Sequence, residues 1–454
     1  MSDYLTERIL DVSVCADSEN LIADLEAQVA SDLVPGHTPV RFAITDSRDS
    51  RWRCDVGIHV GGAIGDSVFT FERRAGEDSS SFNVVMLVPT GIGAEIGGHA
   101  GDATPAATLL ASVCDTLITH PNVFNAADMI QVPDNALYVE GSVITRLMMG
   151  TVRLQRSREN RLLVLIQRHE ERMFTDAAIN AVNAARAYYG LRVDEVIIID
   201  PEFRMVADFS PSGIAAGRVD GLSNIWSALD SRLGHFDAVA ISSVIDAPIE
   251  FHRDYYDSEG RMINPWGGVE AMLTHAISLK YGLATAHSPM LESKEIADLD
   301  LGVVDSRMAP EVVSDTFFQS VLRGLQRSPH IVSNSVDMAS TIGSEGVSCL
   351  VIPDGCLGLP TLAALQQGVP VVVVRENRNI MRNQLRDLPW NDGQFIEAEN
   401  YWEAAGIVSS LKLGLDPHSI RRPIRQVKVT GHQNRGLSDN GDPVGSKVVS
   451  AKRK

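Results

Sequence analysis

The sequence predicts an α/β protein of two Rossmann-like lobes with mainly parallel sheets, preceded by a small N-terminal α+β unit. Three observations carry this. From residue 83 onward short β-branched runs alternate with stretches of helical spacing, the signature of βαβ units joined by right-handed crossovers. The runs are apolar throughout, as in strands covered on both faces. They are also more numerous than one compact sheet usually holds, which sets a cleft between two lobes.

Residues 1–80 form the first unit, with strand patterns at 8–14, 40–44 and 55–60 and a helix over 18–33 through Leu21, Ile22, Leu25 and Val29. A polar GEDSSS linker at 76–81 ends it. Apolar runs at 84–88, 117–118, 162–166, 196–199 and 238–241 make a first lobe over 81–245, and runs at 349–352 and 369–374 belong to a second over 246–417. Helical spacing falls at 105–114, 176–189, 222–233, 269–281, 310–325 and 360–367. Residues 418–454 hold nine Lys or Arg against two acids with almost no apolar periodicity, and read as a basic, disordered tail.

The run 84–88 leads into TGIGAEIGGHAGDATP, which joins a buried strand to a glycine loop and a helix start. Gly91, Gly93, Gly97, Gly98 and Gly101 permit positive φ and close approach. Asp102 or Thr104 can cap the helix that Pro105 begins, and free N–H groups at such a start favour anions. The loop is neither GxxxxGK[ST] nor a well-spaced GxGxxG. A ligand-binding loop, with Thr90, Gly91, Gly93, Gly97, Gly98 and Asp102 in it, and a purely structural turn both stand open.

Over 454 residues the chain has 44% hydrophobic and 22% charged residues, a globular composition long enough for two or three cores. A formal net charge of −18 argues against nucleic acid as the main partner. No long apolar run or signal-peptide pattern occurs, so a cytoplasmic protein without a membrane partner is expected. The five cysteines lack CxxC spacing and read as reduced thiols. No HExxH, HxH or cysteine cluster marks a metal site, and no motif requires a cofactor.

In open α/β sheets ligands bind beyond the carboxyl ends of the strands, so the residues after each run are the candidates. His120 and Asn122 follow the run at 117–118, Asp200 that at 196–199, and His287 a short run at 284–286. Asp354, Gly355 and Cys356 follow 349–352, and Asn377 follows 369–374. With Glu270, the groups His120, Asp200 and His287 are of types suited to acid/base catalysis, although capped turns and salt-bridged loops use the same types. In NPWGGVE, Trp266 can wall a ligand while Gly267 and Gly268 present N–H groups; equally, Glu270 there serves the helix dipole. Cys114 reads as core. Cys356 sits at a helix start that stabilises a thiolate, but no base is placed beside it.

The segment DGCLGLPTLAALQQGVP, with Gly358 and Thr361 at its helix start, resembles the phosphate-binding segment in the C-terminal lobe of two-lobed nucleotide-sugar glycosyltransferases. That likeness implies a local fold and an anion-binding helix end. Ala363 stands where those enzymes carry an acidic residue that holds the ribose, which weakens the implication of a nucleotide sugar. The motifs VPTGIGAEIGGHAGD, THPN, NALYVEG, NPWGGVEA and AHSPM resemble a bacterial and photosynthetic-lineage domain family of unknown function over residues 80–380. The likeness implies that these loops belong to one module.

The expectation is an enzyme of lyase, isomerase or hydrolase type acting on a small anionic molecule in the inter-lobe cleft, as a monomer or a homo-oligomer. A transferase with a nucleotide or nucleotide-sugar donor and a non-catalytic metabolite-binding or assembly protein are the alternatives.

Overall fold

The structure, a computed structural model, describes residues 3–49, 51–125, 131–314, 316–334, 340–424 and 426–427. It is α/β, as expected. The tail beyond residue 427 lies outside the described residues. The strands are β1 (Tyr4–Ser13), β2 (His37–Asp46), β3 (Arg51–Val60), β4 (Asn83–Met86), β5 (Thr116–Thr119) and β6 (Ala136–Tyr138). Next come β7 (Val152–Gln155), β8 (Arg161–Gln167), β9 (Arg192–Ile199), β10 (Arg204–Phe209), β11 (Ala215–Asp220) and β12 (Ala238–Asp246). The chain continues through β13 (Ala284–Met290), β14 (His330–Ser333), β15 (Thr341–Ile342), β16 (Val347–Pro353), β17 (Val371–Val374) and β18 (Phe395–Ala398).

One sheet is parallel throughout, in the order β18-β17-β16-β4-β5-β6. Its unbroken apolar runs follow from burial on both faces: Val84, Val85, Met86 and the four valines of β17 are fully buried, each stabilising the fold by roughly 1.5–3 kcal/mol. The chain steps outward from β4 to β6 on one side and from β16 to β18 on the other. The β4/β16 junction is thus a switch point, the place where such sheets leave a crevice beyond their carboxyl ends.

A nine-stranded sheet combines two blocks joined where β10 meets β12. Strands β2-β3-β1-β11-β10 pair antiparallel, while β13-β12-β8-β9 pair parallel. The end of β12 also pairs parallel with β10, where Ile245 and Asp246 face Met205 and Val206. Strands β14 and β15 flank β7 in a small antiparallel sheet.

The strands do not sort by the expected segments. β1 to β3 join β11 rather than closing a unit of their own, and residues 81–245 and 246–417 each supply strands to both larger sheets. The reason is physical: a ladder matches edges in space, and parallel neighbours always need a crossover, so β4 and β16 pair although far apart in sequence. The expected helix over 310–325 is two, Ala309–Val312 and Phe318–Gln326, the second starting where the Thr316 hydroxyl accepts from Phe318 N–H. Helices Gly141–Met148, Ile249–Asp257 and Tyr401–Lys412 were not marked by spacing alone.

Helix Gly267–Tyr281 packs on the nine-stranded sheet and meets the loop after β4 at its start. It begins against β11 and ends at Gly282, whose φ of 65° suits a left-handed cap. At its start a Cβ on Gly268 would lie 2.1 Å from the Ala215 carbonyl oxygen, and one on Gly267 the same distance from Thr90 Oγ1. Backbone cannot yield as a side-chain end can. We expect Gly268→Ala to destabilise the fold by about 2–4 kcal/mol, read as a lower urea midpoint at unchanged slope; an unmoved midpoint would contradict this packing.

Candidate functional site

A cavity of about 610 Å³ lies beyond the carboxyl ends of both parallel blocks. Leu87, Pro89 and Thr90 follow β4, His120 and Asn122 follow β5, and the turn from Cys356 to Thr361 follows β16; all line it. Opposite them stand Ser242 and Ile245 of β12, His287 and Met290 of β13, and one face of helix Gly267–Tyr281. The glycine loop and the turn after β16 are therefore neighbours, brought together by the β4/β16 pairing.

Glu270 and His287, both expected, meet here. His287 Nδ1 is 3.1 Å from Glu270 Oε1, and its Nε2 is 2.8 Å from Ser243 Oγ. The side chain of His287 is 1% exposed and that of Glu270 26%, so the glutamate is the open end of the relay. Ser243 is fully buried in β12 beside Met205 Sδ and does not line the cavity. It anchors the ring instead of presenting a nucleophile, despite the serine–histidine–carboxylate order.

One turn along the same helix, Thr274 and His275 face Glu140, which follows strand β6. His275 Nε2 lies 3.0 Å from Glu140 Oε1, while Glu140 Oε2 accepts from the Ser142 N–H at 2.9 Å and from its hydroxyl. Burial opposes the charge, but His275, Ser142 and Arg146 hold the Glu140 carboxyl below its usual range. A third pair, His252 Nε2 and Glu292 Oε1 at 2.9 Å, also lines the cavity, and the His252 ring packs 5.0 Å from Trp266. Glu270 and Thr274 are four residues apart on one helix, a spacing that marks a shared face; Glu292 and His252 had no such local signal.

His120 is buried, and its Nε2 accepts from Val88 N–H at 3.0 Å. Burial, with His275 nearby, pushes the ring down to about 4, against the pull of Glu140. The nitrogen through which it would act as a base is thus occupied.

Glu311 is a further group that only the tertiary structure reveals. Its Oε1 accepts from Ala100 N–H at 2.8 Å and from the Tyr255 hydroxyl at 3.2 Å, and the residue lines the cavity. Burial pushes its carboxyl up to about 7, outweighing those donors, with the charges of Asp102 and Glu270 adding to the rise.

Several expected ligand groups brace the walls instead. Asp102 Oδ1 accepts from Gly97 N–H at 2.7 Å and does not line the cavity; burial pushes it up to about 7. Gly91, Gly93, Gly97 and Gly98 also stay out of the lining. They are glycines because neighbours press on them: a Cβ on Gly97, where φ is 90°, would meet Val88 Cγ1 at 2.6 Å, and one on Gly98 the Ala94 oxygen at 2.1 Å. Gly268 meets β11 as described. Asn377 spends its amide on Ile96 and Tyr401, and Asn122, though in the lining, donates to the Val88 and Gly97 carbonyls. Asp354 is exposed and accepts from Gly355 N–H, neither residue lining the cavity. Asp200 is exposed at the end of β9, an edge strand, and does not line the cavity. Cys356 does line the cavity, but burial pushes its thiol well up, so the thiolate suggested by its helix-start position is disfavoured. Among the described residues no group of His, Cys, Asp and Glu is arranged to hold a metal ion.

The model of a family described as a protein of unknown function, DUF3326, matches residues 83–421. A curated relative, an uncharacterized lipoprotein of Synechococcus sp., is 32% identical over 357 residues, spanning 78% of this chain and 97% of its own. No solved structure matches. The chain belongs to the DUF3326 family. Among the described residues no helix is long and apolar enough to cross a membrane.

Asp102 and Glu311 are both raised to about 7 in the folded protein, so the folded state holds protons that the unfolded chain releases. Their stabilisation is present below the ordinary carboxyl range and is lost as pH rises through about 7. Asp102→Asn keeps an acceptor for Gly97 and removes the charge. We expect its stability in urea relative to the parent to grow by about 2–4 kcal/mol between pH 5 and pH 8; a difference that does not change with pH would refute the assignment.

Proposed function

We propose that this DUF3326 member is an enzyme that transfers protons on a small molecule held in the cavity, with Glu270 as base and Glu311 as acid. The observation that carries this is the opposite treatment of two glutamates lining one cavity. Glu270 is paired with His287 and partly open, whereas Glu311 is buried in the cavity wall and keeps its proton to about pH 7. Environments that separate two carboxyls in this way assign the acid and base roles. A lyase, isomerase or hydrolase reaction fits such a pair.

The two parallel blocks, read as Rossmann-like lobes, supply the cleft. Four glutamates and two arginines, Arg41 and Arg146, line it. That balance supports a ligand with one anionic group more than a highly charged one. Candidate stations for that group are Arg146 and the start of helix Leu359–Gln367, where Gly358 offers no side-chain cap. The nucleotide-donor alternative gains nothing here, since Ala363 is fully buried and offers no carboxylate for a ribose. Cytoplasmic placement, expected from the N-terminal sequence, is a proposal beside a relative named as a lipoprotein.

The test is deuterium wash-in from D2O across a metabolite panel, followed by NMR. The parent protein should exchange one class of C–H, and Glu270→Gln should slow this by about 10²–10⁴-fold. Turnover by the parent should fall as pH rises through about 7, with that limb absent in Glu311→Gln. Undiminished exchange in Glu270→Gln would sink the proposal, and ligand binding without exchange by the parent would favour a metabolite-binding protein.

A further inference from the structure

We infer that His120 is a neutral hydrogen-bond donor, through Nδ1–H, to a carbonyl oxygen of the substrate, so that the molecule processed is a carbonyl compound with a removable α-proton. This rests on the proton-transfer reading above and deepens it.

The direction of one hydrogen bond decides the tautomer. A histidine beside a hydroxyl can give or take, but the partner of Nε2 is the backbone N–H of Val88, 3.0 Å away. An amide nitrogen only donates. Nε2 therefore carries the lone pair, and the proton of the neutral ring sits on Nδ1. Protonating Nε2 would leave the Val88 N–H, on a fully buried residue, facing another N–H. The ring's low affinity for a second proton is consistent with this.

The Nδ1–H has no acceptor among the described residues. Nor is it shut in the interior, as the unpartnered Nδ1 atoms of His37 and His275 are. It opens on the cavity that His120 lines. Val88 also links it to the proposed base: two residues on, Thr90 packs against Gly267 at the start of the helix that carries Glu270.

A neutral imidazole does not release its remaining proton near neutral pH. It can stabilise an oxygen on which negative charge develops, at no cost in reorganisation because its direction is already set. Beside a carboxylate base, the group that uses such a donor is a carbonyl. The Glu270 carboxylate takes the α-proton, the C–H pair becomes the new C=C bond, and the C=O π pair moves onto the oxygen held by His120. The Glu311 carboxyl then delivers a proton to the product, and both glutamates reset by exchange with water. The balance needs no oxidant, reductant or co-reactant.

Two measurements test this. In ¹⁵N-histidine NMR of the full chain, the His120 ring should show a proton coupled to Nδ1, none on Nε2, and no titration between pH 5 and pH 8. An Nε2-bound proton or a titration in that range would overturn the inference, and this readout needs no variant. The second uses benzylacetone labelled with ¹³C at the carbonyl, a ketone whose apolar tail suits the lining of Leu87, Phe174 and Met290. Its C=O infrared band should move to lower frequency on binding the parent and Glu270→Gln, but not His120→Phe, with the Kd in His120→Phe raised between about twofold and tenfold. An unshifted band, or no binding of the ketone, would overturn the inference. A shifted band without α-deuterium exchange in the parent would support the donor role of His120 and count against the proton-transfer reading, so the two failures are distinguishable.

Discussion

The junction of the Thr90 loop, strand β11 and the start of helix Gly267–Tyr281 is the contact on which the site depends. Gly267 lets Thr90 press onto the helix, Gly268 lets the Ala215 carbonyl do the same, and the Ala215 N–H donates to the Gly91 carbonyl at 2.8 Å. Interiors packed this closely transmit displacement instead of absorbing it. A shift of the helix start would carry Glu270 away from His287 and Thr90 away from the carboxyl end of β4. The glycines of the loop thus shape the cavity indirectly, by allowing its walls to pack closely.

The electrostatics of that cavity follow from burial. A carboxylate removed from water is tolerated only with a partner, and Glu140, Glu270 and Glu292 each face a histidine. Glu311 is the exception: its partners are an amide and a phenol, too weak to hold a charge, and it keeps its proton to near neutral pH. Asp102 lies under the loop with the same bias, yet its bond to Gly97 makes it a brace. Two carboxyls with similar proton affinity therefore do different work because one opens on the cavity and the other does not.

Much of the secondary structure was readable locally. The buried runs at β4, β16 and β17 announce themselves by unbroken β-branched residues, and the helix over 267–281 by its spacing and its following glycine. Strands β10 and β11 were missed because their polar faces break the apolar pattern and their pairing is with each other and with β1. Of the expected catalytic residues, Glu270 and His287 meet, while His120 lines the cavity with its Nε2 bound to the Val88 N–H. Asp200 lies outside the cavity because following a strand says nothing about whether that strand lies at a switch point or at an edge.

The sequence by itself determined the α/β class, the family and the residues that terminate the buried strands, since all of these follow from local periodicity or from motifs contiguous in the chain. Tertiary structure alone decided that β4 lies beside β16, that Glu140 answers His275, and that Glu311 stands beside the glycine loop. Which backbone edges pair, which carboxyls lose their water and which ring nitrogen meets an amide are set by contacts between segments distant along the chain. No local pattern encodes them.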